Sequence, residues 1–497
     1  MADLPYSHSA DLSDEVRAST LAGLEKMWAQ YGYADVLGEL NHQWPLDKAL
    51  SFFEKMQFET KKPRTIRTIG TLYHRGYNGG IERVQAQLMS LWIKMGYRVV
   101  FFSEEPENPL DFPYPNTVKR ILIPKTTDIP VRLLAIQKGI TEEKVDVLIN
   151  HNWGDCLAFW EVMLLKLMDV PYITYVHALF SWAFPWGKTS LYLPRIHKLC
   201  NVVLALSETN ARFFQLCGCN TYLVENPVPE DLKQVRQTAP LESRRILMIG
   251  RIAREKYPME AIRIFKLVHD ACPEAVFDIV GAGEGNYMPQ MMEYCRENQL
   301  SDSVIFHGLK SSQEVNQFFH DSTCMLFTSK MEGYPMVLLE AKAHGLPIAM
   351  YDLSFLTLVK DKKGILTAPI GDIRGVADNI IRLLRDNALR QNCGRDARED
   401  FELHSAYDLA GAWKDIFTLA GHNGAVASKA YYNPEDVPEA DRFIEPALLE
   451  AVSAGYDKIC DELNSRIDCR VGRVVLKIPR LVKHTLEGII NAILNRA

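Results

Sequence analysis

Glu332 and Glu340 stand in the run Lys330-Met-Glu-Gly-Tyr-Pro-Met-Val-Leu-Leu-Glu-Ala-Lys-Ala-His-Gly-Leu-Pro-Ile348. Pro335 suits the first turn of a helix, where a missing N–H costs nothing. Met336–Leu339 continue that helix and Gly345-Leu-Pro347 stops it. Glu332 then falls in the loop before the helix, and Glu340 projects from its second turn. Between them lies the positive helix end, where backbone N–H groups bind an anion. A phosphate flanked by two hydroxyl-binding carboxylates matches a nucleotide sugar. An ordinary helix start with a surface acid on each side has the same spacing.

Cations stand at a second place. Gly250-Arg251-Ile-Ala-Arg-Glu-Lys256 follows an apolar strand. Arg251 with its planar fork and Lys256 as a mobile point charge are apt partners for a diphosphate, although solvated cations beside a turn would read the same way. Val280-Gly281-Ala-Gly283-Glu-Gly285 also follows a strand, but glycine spacing alone is weak evidence for a dinucleotide. No acid for an adenosine ribose is placed beyond it, and it reads as a tight turn. Gly79-Gly80-Ile-Glu-Arg83 opens a helix, and its glycines let backbone approach a ligand. His177 ends the strand Tyr172–Val176, where a lone histidine is more often structural than functional, although a strand end facing a cleft narrows that margin.

The elements that must carry these residues alternate along the chain. Thr65–Tyr73, Arg98–Ser103, Val145–Ile149, Tyr172–Val176, Val202–Leu206 and Thr221–Val224 read as apolar strands, with a helix over Ile81–Met95. The pattern restarts with strands at Arg245–Ile249, Ala275–Val280, Val304–Phe306, Cys324–Phe327 and Ile348–Tyr351, and a helix at Ala261–Ala271. Short apolar strands separated by helices mean parallel sheets covered on both faces. The fold class is α/β, with two doubly wound Rossmann-like domains and a cleft at their strand ends. The expected division is a helical extension over 1–63, a first Rossmann-like domain over 64–235 and a second, which carries Glu332 and Glu340, over 236–400. A crossover helix over 401–420 and a tail over 421–497 complete it.

Bulk properties narrow the class. The chain has 497 residues, 47% of them hydrophobic and 24% charged, which describes a globular protein of two domains or more. A net charge of −6 gives no signal for nucleic acid. Ten cysteines lack a metal-like spacing, and Cys217 and Cys219 have no matching pair, so they read as buried thiols of a reducing cytoplasm. The N-terminus lacks the basic start and apolar core of a signal peptide. Val170–Trp186 has no charged residue, but Pro171, His177 and Pro185 interrupt it, which argues against a membrane span.

Taken in order, these motifs resemble the retaining, nucleotide-sugar-dependent glycosyltransferases of family 4, which have the GT-B fold. The carriers are Gly79-Gly80-Ile-Glu-Arg83, Val176-His177, Glu225-Asn-Pro-Val228, Gly250-Arg251 with Lys256, Val280-Gly-Ala-Gly283, Phe306-His-Gly308, and Glu332 with Glu340. They span about residues 64–420. The resemblance implies that Glu340 holds the ribose hydroxyls, and that Glu332 with backbone at Gly333, Tyr334, Pro335, Met336 and Val337 holds the donor sugar. It implies that Arg251 and Lys256 neutralise the diphosphate, and that His177 contacts the donor sugar or reacting centre. Gly79, Gly80, Gly250, Gly281, Gly283 and Gly308 would line the donor site. It further implies retention of the α-configuration by a front-face route, with no metal and no cofactor, the nucleotide sugar being a substrate. Three positions depart from the commonest pattern: Tyr257 stands where a glycine is usual after Lys256, Asn226-Pro227 replaces Asn-Gly, and His177 lacks a following acid.

At the ends, Glu15–Tyr31 and Leu46–Phe58 carry helical spacing, and Phe401–Ala420 with Trp413 reads as the last helix of the fold. In 470–496, Arg470, Arg473, Lys477, Arg480 and His484 form a basic face beside an apolar one. That suits an anionic membrane surface as well as a helix packed on protein or an oligomer contact. The expected activity is transfer of a sugar, from a UDP-sugar, to a glycan, teichoic-acid-like or lipid-linked acceptor on the cytoplasmic side. An epimerase of similar fold, or a non-catalytic glycosyltransferase-like subunit, would share the donor motifs.

Overall fold

In the computed structural model, residues 64–421 are described, apart from 78, 126–128, 155–156, 183–187 and 236–242. The helical reading of 1–63 and the amphipathic reading of 470–496 lie outside the described residues. The chain divides into two units: one ends at Pro227 and resumes at Leu409, and the other runs Val228–Asp408.

The first unit is built on a seven-stranded sheet. Its strands are β1 (Thr68–Leu72), β2 (Arg98–Ser103), β3 (Lys119–Leu122), β4 (Val147–Asn150), β5 (Tyr172–Tyr175), β6 (Val202–Ala205) and β7 (Thr221–Leu223). All pair in parallel, in the order β3-β2-β1-β4-β5-β6-β7. The inner strands β1, β4, β5 and β6 are buried along their whole length, as a sheet covered on both faces demands. Helices α1 (Gly80–Lys94), α2 (Ile129–Glu142), α3 (Leu157–Leu167), α4 (Lys188–Leu199) and α5 (Glu208–Leu216) supply the crossovers. Val84, Leu88, Met89 and Trp92 face α1 inward at helical spacing.

The second unit begins with α6 (Glu230–Lys233) and repeats the scheme with six strands. These are β8 (Arg245–Ile249), β9 (Val276–Val280), β10 (Val304–Gly308), β11 (Cys324–Phe327), β12 (Ile348–Tyr351) and β13 (Ile365–Ala368). They are parallel, in the order β10-β9-β8-β11-β12-β13. Helices α7 (Pro258–Ala271), α8 (Tyr287–Glu297), α9 (Ser312–Asp321), α10 (Met336–Ala343), α11 (Ile373–Arg385) and α12 (Asn387–Ser405) cover them. The core joins Ile246 and Ile279 of the sheet to Ile264, Phe265, Val376 and Ile380 of the helices. In each sheet the order of crossovers reverses once, between β1 and β4 and between β8 and β11. Loops leaving the strand ends on the two sides of such a point diverge and leave room for a ligand.

Three details differ from the sequence reading. Strands β3 and β13 were not expected: β3 is half-exposed and β13 only partly buried, because each lies at a sheet edge and has no continuous apolar run. Helix Ala261–Ala271 starts earlier, at Pro258, since a proline is tolerated in the first turn. Phe401–Ala420 is two helices rather than one. α12 ends at Ser405, and α13 (Leu409–Gly421) begins after Asp408, a residue type that favours a helix start over a helix interior. α13 belongs to the first unit, where Trp413 meets Trp92 edge-on at 4.8 Å between ring centroids. Arg64 N–H also donates to Gly421 O at 3.0 Å.

Among the described residues the cysteines are free, and all but Cys217 are buried. No helix among the described residues is long and apolar enough to cross a membrane.

Candidate active site

The motif residues of the second unit gather where its strand order reverses. Gly250 leaves β8 with φ at +135°, and Gly281 leaves β9 with φ at +145°, both in the region that favours glycine. The two loops are stitched by backbone bonds: Gly250 N–H to Val280 O at 3.0 Å, Ile252 N–H to Ala282 O at 2.8 Å, and Glu284 N–H to Ile252 O at 2.9 Å. Gly281 N–H in turn donates to Gly308 O at 2.9 Å, tying in the end of β10. A Cβ on Gly281 would lie 1.8 Å from Gly250 O. The glycines of Val280-Gly-Ala-Gly283 therefore serve close loop packing. Gly281→Ala combines a forbidden contact with a disfavoured φ, and is expected to destabilise the unit by about 3 kcal/mol or more. Thermal unfolding checks it: an unchanged midpoint would contradict the role of this seam.

Lys256 ends a single 3-10 turn, Arg254–Lys256, and its Nζ donates to Glu332 Oε1 at 2.5 Å. Thr328 Oγ1, just beyond β11, donates to Lys256 O at 2.6 Å. The loop after β8 and the loop after β11 are thus bound together across the reversal point. Tyr257, where the glycine was missing, takes the left-handed conformation at φ +47° and ψ +52°. That conformation costs a side-chain residue about 1 kcal/mol. Lys330 Nζ offsets part of the cost, lying 4.1 Å from the Tyr257 ring centroid and donating to Glu260 Oε1 at 2.6 Å. Tyr351 OH donates to the other oxygen of Glu260. The loop thus keeps the glycine-like turn by bracing a tyrosine.

Arg251 donates to Glu284 Oε1 at 2.6 Å and to Glu255 Oε1 at 2.7 Å. Burial works to lower its pKa, but Glu255 and Glu284, with Glu332 beyond them, raise it above the ordinary value. Both candidate diphosphate cations therefore have carboxylate partners. Pro335 is the N-cap of α10 rather than its first residue, with ψ at 98°, and its own side chain makes no capping hydrogen bond. Gly333, Tyr334 and Pro335 are buried, Met336 and Val337 half-buried, and Glu340 sits half-buried one turn into the helix. The helix is anchored from behind: Lys342, 1% exposed, pairs with Asp400 and donates to Leu358 O at 2.6 Å.

The remaining candidates belong to the first unit. Gly79 is the N-cap of α1, and Glu82 folds back on it so closely that a Cβ at Gly79 would lie 2.3 Å from Glu82 Oε2. Glu82 is 3% exposed and accepts from Arg75 Nε at 2.8 Å. Nothing lies within 4 Å of a Cβ built on Gly80. His177, directly after Tyr175-Val176, is half-buried, with its ring 4.2 Å from that of Tyr175. Tyr175 OH donates to Asn226 Oδ1 at 2.9 Å, which gives the Asn226-Pro227 departure a supporting place under His177.

Sequence reasoning passed over His151. It follows β4 as His177 follows β5, and that repetition of an apolar strand ending in histidine was legible. Its Nδ1 lies 2.8 Å from His177 Nε2. Burial lowers the His151 pKa to about 3, and burial with the neighbouring His151 holds His177 well below its ordinary value. Both imidazoles are neutral near pH 7.

Two family models follow one another along the chain. One, described as Glycosyltransferase Family 4, matches residues 78–232, and one described as Glycosyl transferases group 1 matches residues 230–400. An uncharacterized glycosyltransferase of Haemophilus influenzae is 23% identical over 353 residues, covering 69% of this chain and 97% of that protein. The amylovoran biosynthesis glycosyltransferase AmsD of Erwinia amylovora is 23% identical, covering 68% of this chain and 96% of AmsD. A TarM variant of S. aureus, crystallised with fondaparinux, alpha-GlcNAc-glycerol and UDP, superposes with a TM-score of 0.60 at 12% identity, covering 71% of this chain and 100% of TarM. With two parallel-sheet units and a family model over each, the chain belongs to the GT-B glycosyltransferases of the family 4 type.

Proposed function

We propose that the protein transfers a sugar from a UDP-sugar, with retention of anomeric configuration, to a glycan or teichoic-acid-type acceptor in surface polysaccharide synthesis. The observation that carries this reading is the Lys256–Glu332 pair, set beside Arg251 and the N-terminus of α10 where the second sheet reverses. UDP in the TarM complex and the role named for AmsD support the donor and the pathway class. The basic run 470–496 supports an acceptor presented at an anionic lipid surface.

In this reading the diphosphate draws Lys256 and Arg251 from their carboxylates and meets the N–H groups at the start of α10. Glu332, released by Lys256, accepts hydrogen bonds from the sugar hydroxyls, and Glu340 accepts from the ribose. The bond between the anomeric carbon and the phosphate oxygen breaks, its electron pair staying on the phosphate. Two cationic side chains stabilise that charge. The acceptor oxygen bonds to the anomeric carbon on the face the phosphate leaves, and its proton passes to the departing phosphate. His177, neutral, meets the sugar by hydrogen bonding rather than by charge.

Proton NMR of the product formed from a UDP-α-sugar tests this. An α-linked product, formed equally well in EDTA, is expected. A β-linked product would overturn retention, and turnover abolished by EDTA would overturn charge stabilisation by side chains alone.

A further inference from the structure

A buried chain of hydrogen bonds ends on His177. Gln85 Nε2, on α1, donates to Thr71 Oγ1 of β1 at 2.9 Å; Thr71 Oγ1 lies 3.1 Å from His151 Nε2; and His151 Nδ1 lies 2.8 Å from His177 Nε2. Gln85 and His151 are each 1% exposed, and Thr71 is fully buried. The two imidazoles lie nearly parallel, 17° apart, and Tyr175 packs against the His177 ring.

We propose that His151 is a positioning residue for sugar transfer: it fixes the ring plane and tautomer of His177, so that His177 presents an Nδ1–H donor to the substrate. This rests on the transfer reading above.

The direction of the chain follows from donor and acceptor counts. Thr71 Oγ1 accepts from Gln85, and accepting from His151 Nε2 as well would strand its buried hydroxyl proton, so that proton goes to His151 Nε2. A neutral His151 that accepts at Nε2 carries its proton on Nδ1 and donates it to His177 Nε2. A neutral His177 that accepts at Nε2 carries its own proton on Nδ1. The orientation of the Gln85 amide starts this sequence. Its Oε1 is buried without a partner. Turning the amide over would leave both N–H bonds unpaired, against one N–H and a carbonyl as it stands, and a buried unpaired N–H is the rarer and costlier defect. The chain also joins the elements that matter: β1 and β4 flank the reversal point of the first sheet, and Leu72 O accepts from His151 N–H at 3.0 Å. The ring of His151 is therefore held at its backbone and at both nitrogens.

Loss of such a partner is expected to lower activity by about 10–100-fold, the scale on which partners that orient metal-binding histidines act. Long-range proton–nitrogen correlation NMR on the full chain with labelled histidine reads the tautomer without any variant. Protonation of His177 on Nδ1 is expected, and protonation on Nε2 overturns the proposal.

Three substitutions then separate positioning from packing. His151→Phe keeps the ring and removes both hydrogen bonds. His151→Asn places an amide where Nδ1 was, and His151→Gln places one where Nε2 was. With UDP-glucose, UDP-N-acetylglucosamine and UDP-galactose as donors, UDP release is followed for the fastest. The expected result is a fall in kcat of about 10–100-fold in the Phe and Gln variants, donor KM within about twofold, and recovery in Asn. Wild-type kcat in His151→Phe, or equal losses in Asn and Phe, overturns the proposal. His177→Ala, run in parallel, keeps the two readings apart. If it retains full turnover, the role of His177 in transfer falls and the proposal with it. If it loses turnover while His151→Phe does not, positioning alone falls.

Discussion

Glu332→Gln is expected to lower sugar transfer by about 100-fold while leaving UDP affinity equal to or slightly above that of the unaltered protein. Glu332 accepts from Lys256 at 2.5 Å, and both side chains are largely shielded from water. That pair is a charge-assisted hydrogen bond, stronger than a neutral one. It holds Lys256 away from any diphosphate until the diphosphate offers more. A glutamine of the same shape holds Lys256 less firmly, so UDP has less to displace. The cost falls on the sugar. A carboxylate accepts from two hydroxyls at once, whereas an amide accepts with one atom and donates with the other. Glu340→Gln should show the converse, weakening UDP binding itself. Comparing kcat/KM with UDP affinity for both variants checks the division of labour. Equal loss of UDP binding and transfer in Glu332→Gln would place Glu332 on the nucleotide instead.

Lys256→Met is expected to lower kcat by about 10²–10³-fold, the scale on which one preorganised electrostatic group contributes to a transition state. Methionine keeps much of the side-chain length and apolar stem but removes the charge. UDP affinity should fall as well, by about tenfold or more, since hydrogen bonds to charged groups contribute about 1.5–3 kcal/mol. The backbone turn should survive, because Thr328 holds Lys256 through its carbonyl and Lys330 holds Tyr257 through its ring. Unfolding of the variant should therefore stay cooperative. Combining Lys256→Met with Glu332→Gln should cost less than the sum of the two, since each removes a partner of the other. Steady-state kinetics on the two single variants and the double variant measure this. Full additivity would mean that the two side chains do not act as a pair.

Much of this arrangement was legible in the sequence, and the remainder fails for identifiable reasons. Interior strands such as Arg98–Ser103, Arg245–Ile249, Cys324–Phe327 and Ile348–Tyr351 have the bounds their apolar runs suggest. Burial on both faces leaves little freedom in their composition. The edge strands Lys119–Leu122 and Ile365–Ala368 escaped because an edge is half-wet and carries mixed residues. The break between α12 and α13 escaped because helical spacing runs on through Tyr407 and Asp408.

For the site, residue types showed that Lys256 and Glu332 could serve a donor, but no spacing rule says that residues 76 apart in the chain meet. That meeting follows from the strand order, which places β8 beside β11. In the sequence, Tyr257 was a departure from the usual glycine that left the geometry of the loop after Lys256 open. The structure shows the turn kept, at the cost of a strained tyrosine braced by Lys330. His151 was overlooked although the strand-then-histidine pattern of His177 recurs there, because that pattern does not say what a buried histidine does. Its meaning comes from Thr71, Gln85 and His177, which only the fold brings to it.

The central claim is that the reversal point of the second sheet binds a nucleotide sugar through Lys256 and its neighbours. Calorimetric titration of UDP-sugars into the full chain and into Lys256→Met tests it most directly. Saturable one-to-one binding of at least one UDP-sugar to the unaltered chain, weakened about tenfold or more in Lys256→Met, is the predicted result. Binding of equal strength to both, or no binding of any UDP-sugar to the unaltered chain at millimolar concentration, would contradict it.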